Sequence, residues 1–198
     1  MSSNFFAYLS RMRLIRRWSL MQNTSPENLQ EHSYQVALFA HALATIGMVK
    51  FGRTYDPERA AFLALLHDAA EVITGDMPTP VKYYDDNMRT AYKGIEAAAN
   101  RRLLSFLPEE FHDAYRAALI PVSQDAESWR LVGAADKLCA WVKCVEERRG
   151  GNREFLLAEE GLRRKLDSLH MAEVDYFIEN FAPGFSLTLD ELGEQLPG

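Results

Sequence analysis

Apolar residues recur at three- and four-residue intervals along almost the whole chain, and no stretch alternates convincingly with period two. Phe5, Phe6, Leu9, Met12 and Ile15 predict a packed first helix. The same stretch carries Arg11, Arg13, Arg16 and Arg17 with no acid before Glu27, which is also the composition of a transit peptide. Thr24 and Ser25, followed by Pro26 and Glu27, read as a cap, a first-turn proline and an early acid, so a second helix should run to about Val49. Asp56, Pro57 and Glu58 repeat that signal and predict one helix through about Thr74; Gly75, Pro78 and Pro80 then enforce a loop. Further helices are predicted over about 86–106, from Pro108 to just before Pro121, and from about 126 to Arg148, closed by Gly150 and Gly151. Residues 153–181 read as one more, continuous or broken, and Thr188 with Glu191 forms a capping box for a last short turn. With no repeat and no linker, the expectation is one all-α domain, a helical bundle spanning residues 1–198.

Composition narrows the function classes. At 198 residues the chain can bury a sizeable core without disulfides. Its 22 basic and 28 acidic residues give a net charge of −6, which argues against a nucleic-acid polymer as partner. A small phosphorylated substrate remains compatible, provided a local cation meets it. Cys139 and Cys144 form no CxxC pair and fall on different faces of one helix, so they read as buried, reduced thiols and point to the cytoplasm. No membrane span is expected: the longest apolar run, residues 60–66, is far below the roughly 20 residues required.

The chemistry concentrates where ionisable residues interrupt apolar helices. His67 and Asp68 sit inside the apolar segment 60–73, and Glu71 lies on the same wall one turn later. Asp136 interrupts the apolar run around Leu131 and Val142, with Lys137 pointing about 100° away. Burying a carboxylate costs several kcal/mol in practice unless it is paired or metal-bound. His32 shares a face with Val36 and Phe39, whereas His41 lies on the opposite side of that helix; His41, His112 and His170 read as packing or surface residues. His32, His67, Asp68 and Asp136 together offer two imidazoles and two carboxylates, which suit a first-row transition metal such as Co or Mn better than Mg.

This ordered set resembles the HD-domain metal-dependent phosphohydrolases, and more closely the bacterial YfbR-type 5'-deoxynucleotidases. The resemblance rests on Arg16-Arg17-Trp18, Glu31-His32-Ser33, His67-Asp68-Ala69-Ala70-Glu71, the run from Gly75 to Tyr83, and Ala134-Ala135-Asp136-Lys137. It implies a homodimeric cytoplasmic enzyme that hydrolyses deoxyribonucleoside 5'-monophosphates with a divalent cation. By the same resemblance the metal ligands are His32, His67, Asp68 and Asp136. Arg17 grips and orients the phosphate, Trp18 lies against the deoxyribose, and Asp76, Met77, Pro78 and Thr79 complete a substrate pocket to which His32, Asp68 and Asp136 also belong. Glu71 positions or deprotonates the attacking water, and Asp76 donates a proton to the leaving oxygen.

Elementary chemistry agrees with these roles. A planar guanidinium suits a phosphate dianion; an indole can deny a 2'-hydroxyl both room and a partner; and an alcohol leaving group needs a proton donor. The bland alternatives are a surface arginine capping the first helix, a core tryptophan and a turn aspartate. Two other functions compete. A phosphodiesterase or pyrophosphohydrolase with a binuclear site would need further histidine motifs, and a catalytically dead nucleotide-binding module would be expected to lack ligands.

Overall fold

The computed structural model of the protein describes residues 3–82 and 84–194, with the backbone alone for Glu194; Tyr83, which ends one of the resembling motifs, lies outside the described residues. The first predicted helix forms in two pieces, α1 (Phe5–Leu9) and a 3-10 turn, Ser10–Leu14. Phe5 and Met12 are buried, while Phe6 faces outward.

α2 (Leu29–Phe51) starts later than the Thr24–Ser25 signal predicts. Its cap is Asn28, whose side chain accepts from the backbone N–H groups of Gln30 and Glu31, while the Glu31 carboxylate accepts from Asn28 N–H. The start is displaced because residues 15–17 pair with 27–29. Arg17 N–H donates to Glu27 O and Leu29 N–H donates to Ile15 O, at 3.1 and 2.9 Å. The Arg16–Asn28 bridge between them is the sole strand-like pairing among the described residues.

α3 (Pro57–Leu65) has the predicted Asp56 cap and first-turn proline, but it stops well short of Thr74. Through residues 66–70 the backbone tightens to bonds spanning three residues, and helical winding resumes at α4 (Glu71–Thr74). The break includes His67. Its Nδ1 donates to Ala64 O at 2.7 Å, the carbonyl that an unbroken helix would offer to Asp68 N–H.

α5 (Thr79–Lys82) is a single turn within the predicted loop, and α6 (Asp86–Leu104) starts from an Asp85 cap. α7 (His112–Leu119) and the long α8 (Ala126–Arg149) follow, each after a 3-10 turn. The 153–181 stretch divides into α9 (Leu156–Asp167) and α10 (Ala172–Asn180), separated where His170 takes a φ of 49°. α11 (Leu189–Glu194) follows the Thr188–Glu191 capping box.

α2 packs against α3, α8 and α10, and α8 also against α9, around buried Val36, Leu43, Leu63, Leu131 and Leu138. The fold class is all-α. Cys139 and Cys144 are free and buried in α8. His41 and His170 are exposed, and His112 Nε2 lies 3.0 Å from Leu107 O. One expectation needs correction: α2 is long and apolar enough to cross a membrane by length and composition. The apolar character serves packing, since buried Val36, Phe39, Leu43 and Ile46 belong to the core.

Candidate active site

Three pieces of backbone bring the four predicted ligands together. His32 sits in the first turns of α2 and is fully buried, His67 and Asp68 occupy the tight turns between α3 and α4, and Asp136 lies midway along α8. His32 Nε2 is 3.2 Å from Asp136 Oδ1 and 4.0 Å from Asp68 Oδ2. His67 Nε2 approaches the same Asp68 oxygen to 3.0 Å but has no aligned hydrogen-bond partner. Donor atoms of His32, His67 and Asp68 all lie within 4.8 Å of one another, and Asp136 adjoins them through His32. The local break in the helix is what places His67 and Asp68 in this cluster.

The donor set fits a divalent cation. Nδ1 of His67 is committed to Ala64 O, and Nδ1 of His32 faces Glu27 Oε1 at 3.6 Å. With protons on the outer nitrogens, both Nε2 lone pairs point inward, the arrangement that a histidine-ligated metal requires. The potential at the centre is also right. Burial alone would depress the His67 pKa, yet Asp68 and Asp136 outweigh it and push the ring up to about 9. Positive charge is favoured here.

Arg17 and Trp18 reach this centre from the segment before α2. Arg17 is largely buried, with Nε 3.3 Å from Glu27 Oε2 and Nη1 3.5 Å from Asp68 Oδ2. Burial lowers its pKa, but Asp68, Glu27, Asp136 and Asp76 raise it further and keep the guanidinium charged. Trp18 takes a φ of 57°, a left-handed conformation that costs a non-glycine residue about 1–2 kcal/mol. Surrounding contacts hold it there. Its Nε1–H donates to Glu27 Oε2 at 3.2 Å, its ring packs on Phe155 at 5.3 Å, and its carbonyl accepts from Asn23 Nδ2. Thr24 and Ser25 donate their backbone N–H groups to the buried carboxylate of Glu147 on α8, which also pairs with Lys143 and accepts from Asn152. The residues that look like a helix cap are therefore a strap.

Glu71 opens α4 just past the tight turns. It is buried, and its Oε2 has no hydrogen-bond partner. Burial first, then Asp68 and Asp76, raise its pKa to about 9. Gly75 follows with φ 74° and ψ 164°, a conformation reserved almost entirely for glycine, and turns the chain so that Asp76 faces a cavity. Burial also raises the Asp76 pKa, against the pull of Arg17.

That cavity encloses about 500 Å³ and is lined by Arg17, Trp18, Asp76, Met77, Pro78, Thr79 and Asp136. Arg17 and Asp136 join it to the histidine–aspartate cluster, through Asp68 and His32 respectively. α9 also contributes to its lining through Ala158, Gly161 and Leu162. The sequence reading missed this contribution, because apolar and small residues on a helix carry no chemical mark. It also missed Glu27, which it assigned to a helix start; the one available hint was that Glu27 is the first acid after a cluster of arginines.

The helical architecture is that of the HD-type phosphohydrolases. It superposes on an HD-domain phosphohydrolase from Listeria innocua with a TM-score of 0.78 at 22% identity, covering 96% of this chain and 92% of that one. It also superposes on the cyanophage S-2L HD phosphohydrolase DatZ, a structure bound to dA and one catalytic Zn2+ ion (TM-score 0.58, 24% identity, covering 90% and 96%). Residues 4–185 match the family described as 5'-deoxynucleotidase YfbR-like, and a 5'-deoxynucleotidase of Vibrio parahaemolyticus is 52% identical over 190 residues, 96% of this chain and 98% of that one. The chain belongs to the YfbR-like 5'-deoxynucleotidase family.

Proposed function

We propose that this protein is a metal-dependent 5'-deoxynucleotidase, releasing phosphate from deoxyribonucleoside 5'-monophosphates and discriminating against ribose. The observation that carries the reading is the adjacency of Arg17 and Trp18 at a cavity joined to the histidine–aspartate cluster. His32, His67, Asp68 and Asp136 would hold the cation, with Co2+ or Mn2+ suiting the two imidazoles better than Mg2+. When bound, such an ion supplies Lewis acidity, making water a usable nucleophile near neutral pH and offsetting phosphate charge.

The chain's own groups do the rest. Arg17 spends Nε on Glu27 and one side of Nη1 on Asp68, which leaves the other guanidinium donors for phosphate oxygens. Glu71 orients the attacking water; burial beside Asp68 and Asp76 favours its acid form, and the charge of a bound cation would favour the carboxylate that takes the water's proton. Asp76, whose acid form is favoured by burial, protonates the leaving 5' oxygen. Trp18 covers the sugar and gives a 2'-hydroxyl neither space nor a partner.

The same reading includes a single HD-type domain over residues 1–198, a homodimer and a cytoplasmic location, with neither nucleic-acid polymer nor membrane as partner. One continuous core from Phe5 to Phe177 supports the single domain. Exposed Tyr34, Leu38 and Met48 along one side of α2 support self-association, free thiols support a reducing compartment, and the net charge of −6 disfavours a polymer. Phosphate release from a panel of 5'- and 3'-mono-, di- and triphosphates, with a metal titration, tests the activity. Turnover confined to 5'-monophosphates supports it; equal turnover of 3' isomers or preferred turnover of triphosphates overturns it.

A further inference from the structure

We propose that Glu27 is a positioning residue whose single carboxylate aligns the phosphate grip, the sugar wall and one metal-ligand histidine. Its Oε2 accepts from Arg17 Nε at 3.3 Å and from Trp18 Nε1 at 3.2 Å, while Oε1 faces His32 Nδ1 at 3.6 Å. The side chain is only 11% exposed, and its backbone carbonyl accepts from Arg17 N–H at 3.1 Å, so the carboxylate is fixed relative to the residues it serves. His32 Nδ1 is buried and has no other polar partner. A histidine that gives Nε2 to a metal needs an acceptor for its outer N–H, and Glu27 Oε1 stands where that acceptor belongs. Trp18 has the complementary need: its backbone is in the left-handed region, and the indole N–H bond to Glu27 fixes which way the ring faces. Glu27 thus acts through Arg17, Trp18 and His32 and touches no reacting atom.

The inference rests on the 5'-deoxynucleotidase reading for its substrate, and two independent readouts keep them separable. One is the ratio of kcat/KM for dAMP to that for AMP in the metal-loaded enzyme. The other is Co2+ affinity of the metal-stripped protein, titrated by calorimetry. In Glu27→Ala the dAMP:AMP ratio should narrow and Co2+ affinity should fall by about 10–100-fold, the usual effect of losing a partner behind a metal ligand. Glu27→Gln separates the functions. Its amide oxygen can still accept from Arg17 and Trp18, so the sugar ratio should hold, but its NH2 then faces the His32 N–H and Co2+ affinity should still fall. A residue with a merely structural role would lower the melting temperature while leaving both readouts at wild-type values, and that result in either variant overturns the proposal. If wild type shows no preference for dAMP, the substrate reading fails, and unchanged Co2+ affinity in Glu27→Gln would still refute the role of Glu27.

Discussion

Arg17 Nη1 lies 3.5 Å from Asp68 Oδ2, so the guanidinium that faces the cavity is tied to a carboxylate of the proposed metal cluster. A phosphate held by Arg17, as proposed, would thereby be set at a fixed offset from the proposed cation site. The arrangement depends on two departures from regular helix: the tight turns at residues 66–70, which present Asp68, and the left-handed Trp18, which ends the arginine's segment.

Metal dependence follows from the inward-facing imidazoles. Chelation by EDTA should abolish phosphate release, and Co2+ or Mn2+ should restore it better than Mg2+. Asp136→Ala should fold yet retain little metal by elemental analysis, because Asp136 is half-buried with its Oδ1 3.2 Å from His32 Nε2, at the proposed cation site. Normal metal content in that variant would remove Asp136 from the ligand set.

Glu71 is buried beside the cluster but is not among its proposed ligands. Glu71→Ala should therefore lower kcat by about 10²–10⁴-fold while metal content stays near wild type. A loss under about tenfold would make it a bystander. For Asp76→Ala the loss should be large with dAMP and small with p-nitrophenyl phosphate, whose leaving group needs no proton. Equal losses on both substrates would assign Asp76 to positioning instead.

The strap at Glu147 predicts a pH signature in stability. Burial would raise its pKa, but bonds from Lys143, Thr24, Asn152 and the Ser25 backbone prevail and hold it well below the usual value of 4.5. A depressed carboxylate contributes its full stabilisation above pH 4.5, and that contribution is lost as pH falls from there towards the folded-state pKa. Denaturant unfolding should show wild type losing stability across that acidic window while Glu147→Gln, weaker at neutral pH, changes less. Removing the carboxylate entirely leaves Lys143 buried and unpaired, so Glu147→Ala should lose about 3–5 kcal/mol. Parallel pH curves for wild type and Glu147→Gln would contradict this account.

Much of this was legible in the chain. Helical periodicity gave the fold class and most helices, and ionisable residues inside apolar runs marked His67, Asp68 and Asp136. Two things were not legible. The break after Leu65 is accompanied by a histidine side chain bonding a backbone carbonyl, a contact that periodicity does not register. The strap at Thr24 and Ser25 uses residues with every mark of a helix cap, but their N–H groups go to Glu147, more than a hundred positions away. Long-range hydrogen bonds overrode the local reading of these residues as a helix cap.

Arg17 and Trp18 are neighbours in sequence with different proposed duties, so their variants should fail differently. Arg17→Ala should depress kcat/KM for dAMP and AMP alike, since both carry the same phosphate. Trp18→Ala should narrow the dAMP:AMP ratio more than it lowers dAMP turnover. If Trp18→Ala keeps the wild-type preference, discrimination belongs to another wall, with the Asp76 to Thr79 loop the next to test.

The most direct test of the whole account is kcat/KM of the metal-loaded wild-type enzyme for dAMP against AMP. A buried, unpaired 2'-hydroxyl costs about 1–3 kcal/mol, so the account predicts a preference for dAMP of roughly tenfold to more than a hundredfold. Equal hydrolysis of the two nucleotides would contradict it, even with the metal site intact.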